Sequence, residues 1–219
     1  MEISVIVCTR NRAGSLAATL ESLAGQTMDD ACYEVLVVDN GSTDRTPDVV
    51  SRARRPNLRV VAEPRVGLSR ARNTGTAAAV GEIVVFLDDD AIASADWLDA
   101  VAACFAAPAT GAATGRVEAV WEGARPAWLP DGLLPYLSIV DWGERAGVLD
   151  GAQWLCGTNM AFRRRALLAV GGFPEDLGRV DDKLLSMEEV VVQRRLEGRG
   201  VPVRYDPALV FAIAFRRRA

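Results

Sequence analysis

Blocks of apolar and polar residues alternate along the first half of the chain and predict strands and helices in turn. Four short runs are apolar almost throughout and rich in Val and Ile, which is typical of strands covered on both faces. These runs occupy residues 3–8, 33–39, 58–62 and 82–88. The stretches between them repeat apolar residues at helical spacing and predict helices at 15–23, 46–53 and 68–79, with a further helix beginning near Asp96. This alternation predicts a parallel sheet with helices on both faces.

The second half of the chain has a less regular pattern. A strand is predicted at 114–121, and the next segment, 122–150, contains three prolines and no clean period, which indicates a long, partly helical insertion. Shorter strands are predicted at 159–163, 201–206 and 208–215. A strongly periodic helix is predicted at 184–198, where Ser186 followed three residues later by Glu189 has the pattern of a capping box.

Length and composition restrict the class of protein. With 219 residues, half of them hydrophobic, the chain can bury one sizeable core, and no repeat or low-complexity linker divides it. The formal net charge of -4 gives no overall attraction to nucleic acid, so no nucleic-acid partner is expected. The absence of His, and of any C-x-x-C spacing among the four Cys, argues against a zinc site.

The N-terminal sequence and the cysteines indicate the compartment. The start, "MEISVIVCTR", lacks the basic residues and long apolar stretch of a signal peptide. No run of about 18 uncharged apolar residues predicts a membrane-spanning helix. Scattered Cys within apolar runs are typical of reduced core residues. We therefore expect a cytoplasmic protein.

Three predicted strands end in polar residues, namely "CTRNR" at 8–12, "DNGSTD" at 39–44 and "DDD" at 88–90. The carboxyl ends of parallel strands share one edge of the sheet, where ligands bind in open α/β folds. Taken alone, each stretch has an ordinary explanation, since "DNGSTD" is also a turn followed by a helix start. Their coincidence on one edge predicts a binding site there.

The three aspartates at 88–90 are the strongest of these signals. Adjacent carboxylates at a strand end repel one another unless a cation neutralises them. Mg²⁺ and Mn²⁺ prefer oxygen ligands and are commonly held between carboxylates and phosphate oxygens. The cluster therefore predicts a divalent cation bound between this edge and a diphosphate. The alternative is a solvated acidic turn that caps the next helix.

The order and spacing of seven motifs resemble those of the family 2 glycosyltransferases. The motifs are "SVIVCTRNR", "EVLVVDNGSTD", "GLSRARNTG", "GEIVVFLDDDA", "GTNMAFRR", "GGFPEDLG" and "LLSMEEVVVQRRL". The resemblance implies the A-type glycosyltransferase fold in one domain, 1–219, with a nucleotide-binding half (1–113) and an acceptor and catalytic half (114–219). It also implies hexosyl transfer from a UDP-, dTDP- or GDP-linked donor to an acceptor hydroxyl, with inversion and with Mg²⁺ or Mn²⁺ as cofactor.

The same resemblance assigns roles to individual residues. It places Thr9, Arg10, Arg12, Asp39, Arg72, Asp88 and Asp89 at the nucleotide, and Asp90 with Asp88 at the metal. It places Trp154, Gly157, Thr158 and Asn159 beside the donor sugar and the acceptor. Glu188 and Glu189 correspond to the family's acidic pair, whose second member is normally the general base that takes the proton of the attacking hydroxyl.

The acceptor implied by the resemblance is a saccharide or lipid-linked molecule in polysaccharide or glycolipid assembly, with peripheral contact at the inner face of a membrane. Four aromatic residues in or beside the insertion are suited to stack on sugar rings or lie at lipid headgroups. They are Trp121, Trp128, Tyr136 and Trp142. The alternative is that they pack the insertion onto the core.

Two departures from the family pattern keep other functions open. The acidic pair ends in Glu189 rather than Asp, and the chain is apolar around Ala212, where many family members carry a His near the metal or diphosphate. One alternative is therefore a catalytically impaired protein that binds nucleotide sugar. A sugar nucleotidyltransferase is another, although its Gly-rich, Lys-containing loop after the first strand has no counterpart in "CTRNR".

Overall fold

The computed structural model describes residues 2–121, 123–179 and 186–215. Within these ranges the strands are β1 (Ile3–Thr9), β2 (Tyr33–Asp39), β3 (Leu58–Ala62), β4 (Ile83–Leu87), β5 (Ala91–Ala93), β6 (Ala112–Thr114), β7 (Val117–Trp121), β8 (Gly147–Val148), β9 (Asn159–Arg163), β10 (Val203–Tyr205) and β11 (Phe211–Phe215). The helices are α1 (Ala13–Ala24), α2 (Thr46–Arg52), α3 (Leu68–Ala78), α4 (Trp97–Phe105), α5 (Arg164–Ala169) and α6 (Glu188–Glu197), with a 3-10 helix at Asp131–Leu137.

The central sheet has the strand order β3-β2-β1-β4-β9-β6-β10-β8. Its first four strands are parallel, whereas β9 runs antiparallel to both β4 and β6, and the edge strand β8 runs antiparallel to β10. A smaller sheet has the order β5-β11-β7. The predicted α/β fold with a mostly parallel central sheet is confirmed, and the four strands predicted in the first half correspond to β1 to β4.

The central strands are apolar on both faces because helices cover both sides of the sheet. Every residue of β4 is buried, as are nearly all residues of β1 and β2. Alternate residues of β1 divide between the two sides. Ile3, Val5 and Val7 pack with α1 and α4, whereas Ile6 packs with α3 and α6. The edge strand β3 is mostly exposed or half-buried.

The strand predicted at 114–121 is two strands in different sheets. Strand β6 ends in the central sheet at Thr114, and β7 begins in the smaller sheet at Val117. At the bend between them, a β-carbon on Gly115 would come within 2.0 Å of the Leu209 carbonyl oxygen. Only glycine allows the two backbones to approach so closely. The predicted division between the two halves of the chain falls within β6, so both halves contribute to one sheet.

Helix α6 begins later than the sequence pattern predicts. Its first residue is Glu188, and the predicted residues 184–185 lie outside the described part of the chain. Met187 occupies the N-cap position with a left-handed φ of 79°, and its side chain makes no capping bond. The predicted capping box is therefore wrong, because Ser186 lies before the N-cap. Glu189 is the second helical residue, one position earlier in the helix than the capping box requires.

The described part of insertion 122–150, residues 123–150, contains little regular structure beyond the 3-10 helix and β8. Its aromatic residues are divided between two environments. Trp128 and Tyr136 are 77% and 85% exposed, whereas Trp142 packs against another aromatic ring, as does Trp121 beside the insertion. Two of the four rings are therefore open to a partner, and the acceptor role of the insertion stays a prediction. None of the helices in the described ranges combines the length and hydrophobicity needed to cross a bilayer.

A buried carboxylate, Glu34, connects neighbouring strands at the end of the sheet opposite the predicted site. Glu34 on β2 accepts hydrogen bonds at Oε1 from Ser4 Oγ, at 2.6 Å, and from the Val80 N–H, at 2.8 Å. Its Oε2 accepts from Arg59 Nη2 at 2.7 Å. Burial raises the pKa of Glu34, but these hydrogen bonds outweigh it and hold the pKa below its usual value. The ionised carboxylate thus links β1, β3 and the end of α3 to β2.

We expect Glu34→Gln to lower the free energy of unfolding by about 1.5–3 kcal/mol at pH 7, because hydrogen bonds to a charged group are lost. Since the folded pKa lies below the unfolded value near 4.5, the wild-type stabilisation is complete above that pH and is lost as pH falls through the folded pKa. Urea unfolding at pH 7 and pH 4 measures both effects. Glu21→Gln on the exposed face of α1 is the control. If the wild type and Glu34→Gln differed in free energy of unfolding by the same amount at pH 7 and pH 4, the stabilising role of the ionised Glu34 carboxylate would be contradicted.

Candidate active site

The carboxyl ends of β1 and β4 place predicted acidic and basic residues around one cavity of about 350 Å³. The two strands are parallel neighbours, so the residues that follow them lie at the same edge of the sheet. Six of the predicted site residues line the cavity: Thr9, Arg10, Arg12, Asp88, Asp89 and Asp90. The structure therefore brings together most of the nucleotide and metal residues that the sequence indicated.

The carboxylates in this cavity carry charge that is only partly compensated. Burial raises the pKa of Asp88 to about 7, where Arg72 lowers it and the neighbouring carboxylates raise it further. Burial also raises the pKa of Asp89 to about 6, against the opposing effects of Thr9 and Arg12. The Arg12 Nε atom lies 3.9 Å from Asp89 Oδ1. A bound cation would relieve this excess of negative charge.

The oxygen donors of Asp88 and Asp90 suit Mg²⁺ or Mn²⁺. Among the described residues, no group of three or more His, Cys, Asp or Glu side chains is arranged to hold a metal ion. A cation at this edge would therefore complete its coordination with phosphate oxygens and water. The raised pKa of Asp88 fits such a shared site, in which the protein supplies only part of the ligands.

Asp39 lines a different cavity from the other nucleotide residues. Its Oδ1 accepts a hydrogen bond from the Ser42 N–H at 3.0 Å. The cavity beside it, about 600 Å³ in volume, lies between α2 and β3 and has a mainly apolar lining that includes Val50 and Val60. We place the chemistry in the smaller cavity, because the carboxylates with raised pKa values line that one. The predicted contact of Asp39 with a nucleobase stays a prediction.

Asn40 is a site residue that the sequence analysis treated only as part of a turn. It is buried, and its Nδ2 donates hydrogen bonds to the carbonyl oxygens of Glu63, at 2.8 Å, and Arg65, at 2.9 Å. Its Oδ1 accepts from the Gly67 N–H at 2.8 Å. These bonds fix the loop before α3, which supplies Val66 to the wall of the acidic cavity. Turn propensity hid this role, since Asn before Gly is ordinary in turns.

Arg179 is a second residue that the sequence analysis did not single out. It lines the acidic cavity, and its charge lowers the pKa of Asp88. Its carbonyl oxygen accepts a hydrogen bond from the Leu68 N–H at 3.1 Å, which fixes the backbone of this turn at the start of α3. The signal was weak because Arg179 follows the motif "GGFPEDLG" in a stretch without periodicity.

Arg72 joins the donor edge to the start of α6. This arginine on α3 is 4% exposed. Its Nη1 donates to Glu188 Oε1 at 2.5 Å, and its Nη2 donates to the Gly157 carbonyl oxygen at 3.1 Å. The same Nη2 lies 4.0 Å from Asp88 Oδ1, and the guanidinium lies over the Phe173 ring. The sequence predicted a nucleotide contact here, but the guanidinium is surrounded by protein partners.

The two acidic residues at the start of α6 have different environments. Glu188 is 4% exposed, and its Oε1 is bound by Arg72. Glu189 is half-buried, and its carboxyl group packs against Gly157, where a β-carbon would lie 3.3 Å from Glu189 Cδ. Burial raises the pKa of Glu189, and the charge of Glu188 raises it further, against the opposing effect of Arg72. A half-buried carboxylate of raised pKa is suited to accept a proton, so the geometry favours Glu189 over Glu188 as the base.

Three other residues predicted beside the sugar make contacts within the protein. The Thr158 hydroxyl lies 3.2 Å from Cys156 Sγ. Asn159 is buried, and its Nδ2 donates to two main-chain carbonyl oxygens in the segments before β7 and β11. Trp154 meets Trp142 edge to face. Of the four predicted residues, Gly157 therefore has the clearest position in the site, and the geometry gives Asn159 a role in holding β9.

Comparison with known proteins finds relatives across most of the chain. A family model described as Glycosyl transferase family 2 matches residues 4–171. The glucosyl-dolichyl phosphate glucuronosyltransferase of Haloferax volcanii is 30% identical over 215 residues, which cover 94% of this chain and 67% of that protein. The pre-mycofactocin glycosyltransferase of Mycobacterium tuberculosis is 29% identical over 215 residues, covering 96% of this chain and 42% of that protein.

Solved structures show the same similarity. The mannosyltransferase PcManGT from Pyrobaculum calidifontis, in complex with GDP-Man and Mn²⁺, superposes with a TM-score of 0.72 and 29% sequence identity. The match covers 100% of this chain and 58% of that one. The chain thus spans between 42% and 67% of the length of these three proteins.

Proposed function

Because the chain belongs to glycosyl transferase family 2, we propose that it transfers a sugar from a nucleotide-sugar donor to an acceptor hydroxyl, with inversion and with a divalent cation at the donor diphosphate. Its fold is the A-type glycosyltransferase fold. One observation carries the proposal: the single side chain of Arg72 reaches Asp88 at the acidic edge, the Gly157 carbonyl and Glu188. The acidic cavity and the start of α6, which carries the candidate base Glu189, therefore lie within one side chain's length of each other.

In the proposed reaction, Glu189 takes the proton of the acceptor hydroxyl while that oxygen bonds to the anomeric carbon of the donor sugar. The bond from this carbon to the donor phosphate breaks, and its electron pair leaves with the nucleoside diphosphate. Attack from the face opposite the leaving group inverts the configuration. A divalent cation held by Asp90 and Asp88 would offset the negative charge that grows on the leaving group.

Thr9, Arg10, Arg12 and Asp89 are proposed to bind the nucleotide, because they line the acidic cavity together with the proposed metal ligands. A UDP-, dTDP- or GDP-linked hexose is the proposed donor. The complex of PcManGT with GDP-Man and Mn²⁺ supports a nucleotide sugar and a divalent cation.

A saccharide or a lipid-linked molecule is the proposed acceptor. The name of the Haloferax relative refers to glucosyl-dolichyl phosphate, which supports a lipid-linked acceptor. The exposed rings of Trp128 and Tyr136 are suited to meet such a molecule at the inner face of a membrane. We therefore propose that the reaction belongs to polysaccharide or glycolipid assembly.

A panel of UDP-glucose, UDP-N-acetylglucosamine, dTDP-glucose and GDP-mannose tests the proposal. We expect at least one donor to bind by calorimetry in Mn²⁺ and to release its nucleoside diphosphate slowly to water, and we expect EDTA to abolish the release. Binding without release, even with saccharide and polyprenyl-phosphate acceptors added, would favour the catalytically impaired alternative. Failure of every donor to bind would overturn the proposal. Release of pyrophosphate from a nucleoside triphosphate and a sugar 1-phosphate would indicate a nucleotidyltransferase instead.

A further inference from the structure

The ion pair between Arg72 and Glu188 is buried on both sides. Each side chain is no more than 5% exposed, and Arg72 Nη1 lies 2.5 Å from Glu188 Oε1. A pair taken out of water at this depth carries a large desolvation cost and is weak evidence for stability. Its geometry therefore calls for an explanation other than stability.

The contacts of Arg72 indicate what the pair positions. Glu188 is the first residue of α6 and follows Met187, whose left-handed φ of 79° is unfavourable for a residue other than Gly. The Met187 side chain makes no capping bond, and the Arg72 bond to Glu188 ties the first turn of α6 to α3. Arg72 also binds the carbonyl oxygen of Gly157, and the Glu189 carboxyl packs against the same glycine, where a β-carbon would lie 3.3 Å from Glu189 Cδ.

We propose that Arg72 and Glu188 form a positioning pair, which holds the first turn of α6 against the loop at Gly157 so that the Glu189 carboxylate faces the donor. The inference rests on the proposed function and deepens it, since it assigns different tasks to the two acidic residues. Glu188 orients the helix end, and Glu189 touches the acceptor. Arg72 affects the reaction by holding Glu188 and, through it, Glu189, and it does not bind the nucleobase.

The charges around Glu189 give the proposal a signature that loss of packing would not produce. Arg72 from α3 and Cys156 from the loop before β9 face Glu189, together with Glu188 on its own helix. The guanidinium lowers the pKa of Glu189, and the Glu188 carboxylate raises it. Arg72→Met should therefore move the acidic limb of the pH–rate profile to higher pH. Glu188→Gln should move it to lower pH.

The test compares Arg72→Met, Arg72→Lys and Glu188→Gln with the wild type in the presence of Mn²⁺ and the donor that the panel selects. We expect Arg72→Met to lower kcat by about 100-fold, as a displaced catalytic group does, while the donor Kd changes less than about 3-fold. Arg72→Lys should restore part of the rate because it keeps the charge. Arg70→Met is the matched control, since Arg70 lies on the same helix and pairs with Glu175 at the surface, at 3.0 Å.

Titration of Glu189 by its carboxyl carbon chemical shift needs no substrate, so it tests the pair even if the protein transfers no sugar. Opposite pKa shifts in the two variants support the positioning pair. A donor Kd that weakens as much as kcat falls would make Arg72 a nucleotide ligand and overturn the proposal. Unchanged kcat and unchanged Glu189 pKa would overturn it as well. If Arg72→Met fails to fold, the kcat, the donor Kd and the Glu189 pKa of Glu188→Gln decide between the same outcomes.

Discussion

We expect Glu189→Gln to lower the kcat of sugar transfer by about 10²- to 10⁴-fold, the range that a general base usually contributes. The amide keeps the shape of the side chain against Gly157 but cannot accept the proton of the acceptor hydroxyl. The donor Kd should stay the same, because the proposed role of Glu189 is to take the proton of the acceptor. Single-turnover rates and calorimetric donor binding measure the two quantities separately.

The pH dependence of the wild type adds a second readout. As a base, Glu189 works only when ionised, so kcat should rise with pH through its pKa, which burial raises above that of an ordinary carboxyl. The Glu189→Gln variant should lose this rise of kcat with pH. Glu197→Gln at the other end of α6 is the matched control and should retain the wild-type rate. A variant Glu189→Gln with full activity would remove this residue from the mechanism.

Asp90→Ala should abolish the dependence of donor binding on Mn²⁺. Loss of a residue that merely supports a metal ligand commonly costs about 10–100-fold in metal affinity, so loss of a direct ligand should exceed 100-fold. Donor affinity in Mn²⁺ should then equal the affinity measured in EDTA. Calorimetric titration of the nucleoside diphosphate with and without Mn²⁺ provides the comparison.

Asp96→Ala is the control for Asp90→Ala, because Asp96 is an exposed carboxylate that lies a few residues further on and makes no capping bond. It should leave the Mn²⁺ effect intact. Thermal unfolding of both variants separates a folding defect from loss of the metal. Unchanged Mn²⁺-dependent affinity in Asp90→Ala would show that the cation is held elsewhere, or that the donor binds without it.

The elements that bury both faces were the easiest to predict from the sequence. Strands β1, β2 and β4 are apolar along their whole length because helices cover both sides, and this leaves a clear pattern in the chain. The position of the acidic residues could be predicted by the same reasoning, because the carboxyl ends of parallel strands lie at the same edge of the sheet. Asp88 to Asp90 accordingly lie with Thr9 and Arg12 around one cavity.

Features that depend on contacts distant in sequence could not be predicted this way. Arg72 and Glu188 are 116 residues apart, and no local pattern signals their pairing. Ser186 and Glu189 have the sequence pattern of a capping box, but the helix starts at Glu188, which makes Met187 the N-cap residue. The break at Gly115 was hidden because the residues on both sides favour strands, and only the close approach of another backbone separates them.

The antiparallel strand β9 has a consequence for recombining this protein with its relatives. It lies between β4 and β6, with Phe86 paired to Met160 on one side and Ala112 to Phe162 on the other. A chimera joined at the predicted division, between residues 113 and 114, would cut β6 and leave β9 to find its register against a foreign strand. The proposed acceptor role of insertion 122–150 therefore predicts that acceptor preference is best transplanted through the loops and the insertion, with the eight-stranded sheet kept from one parent.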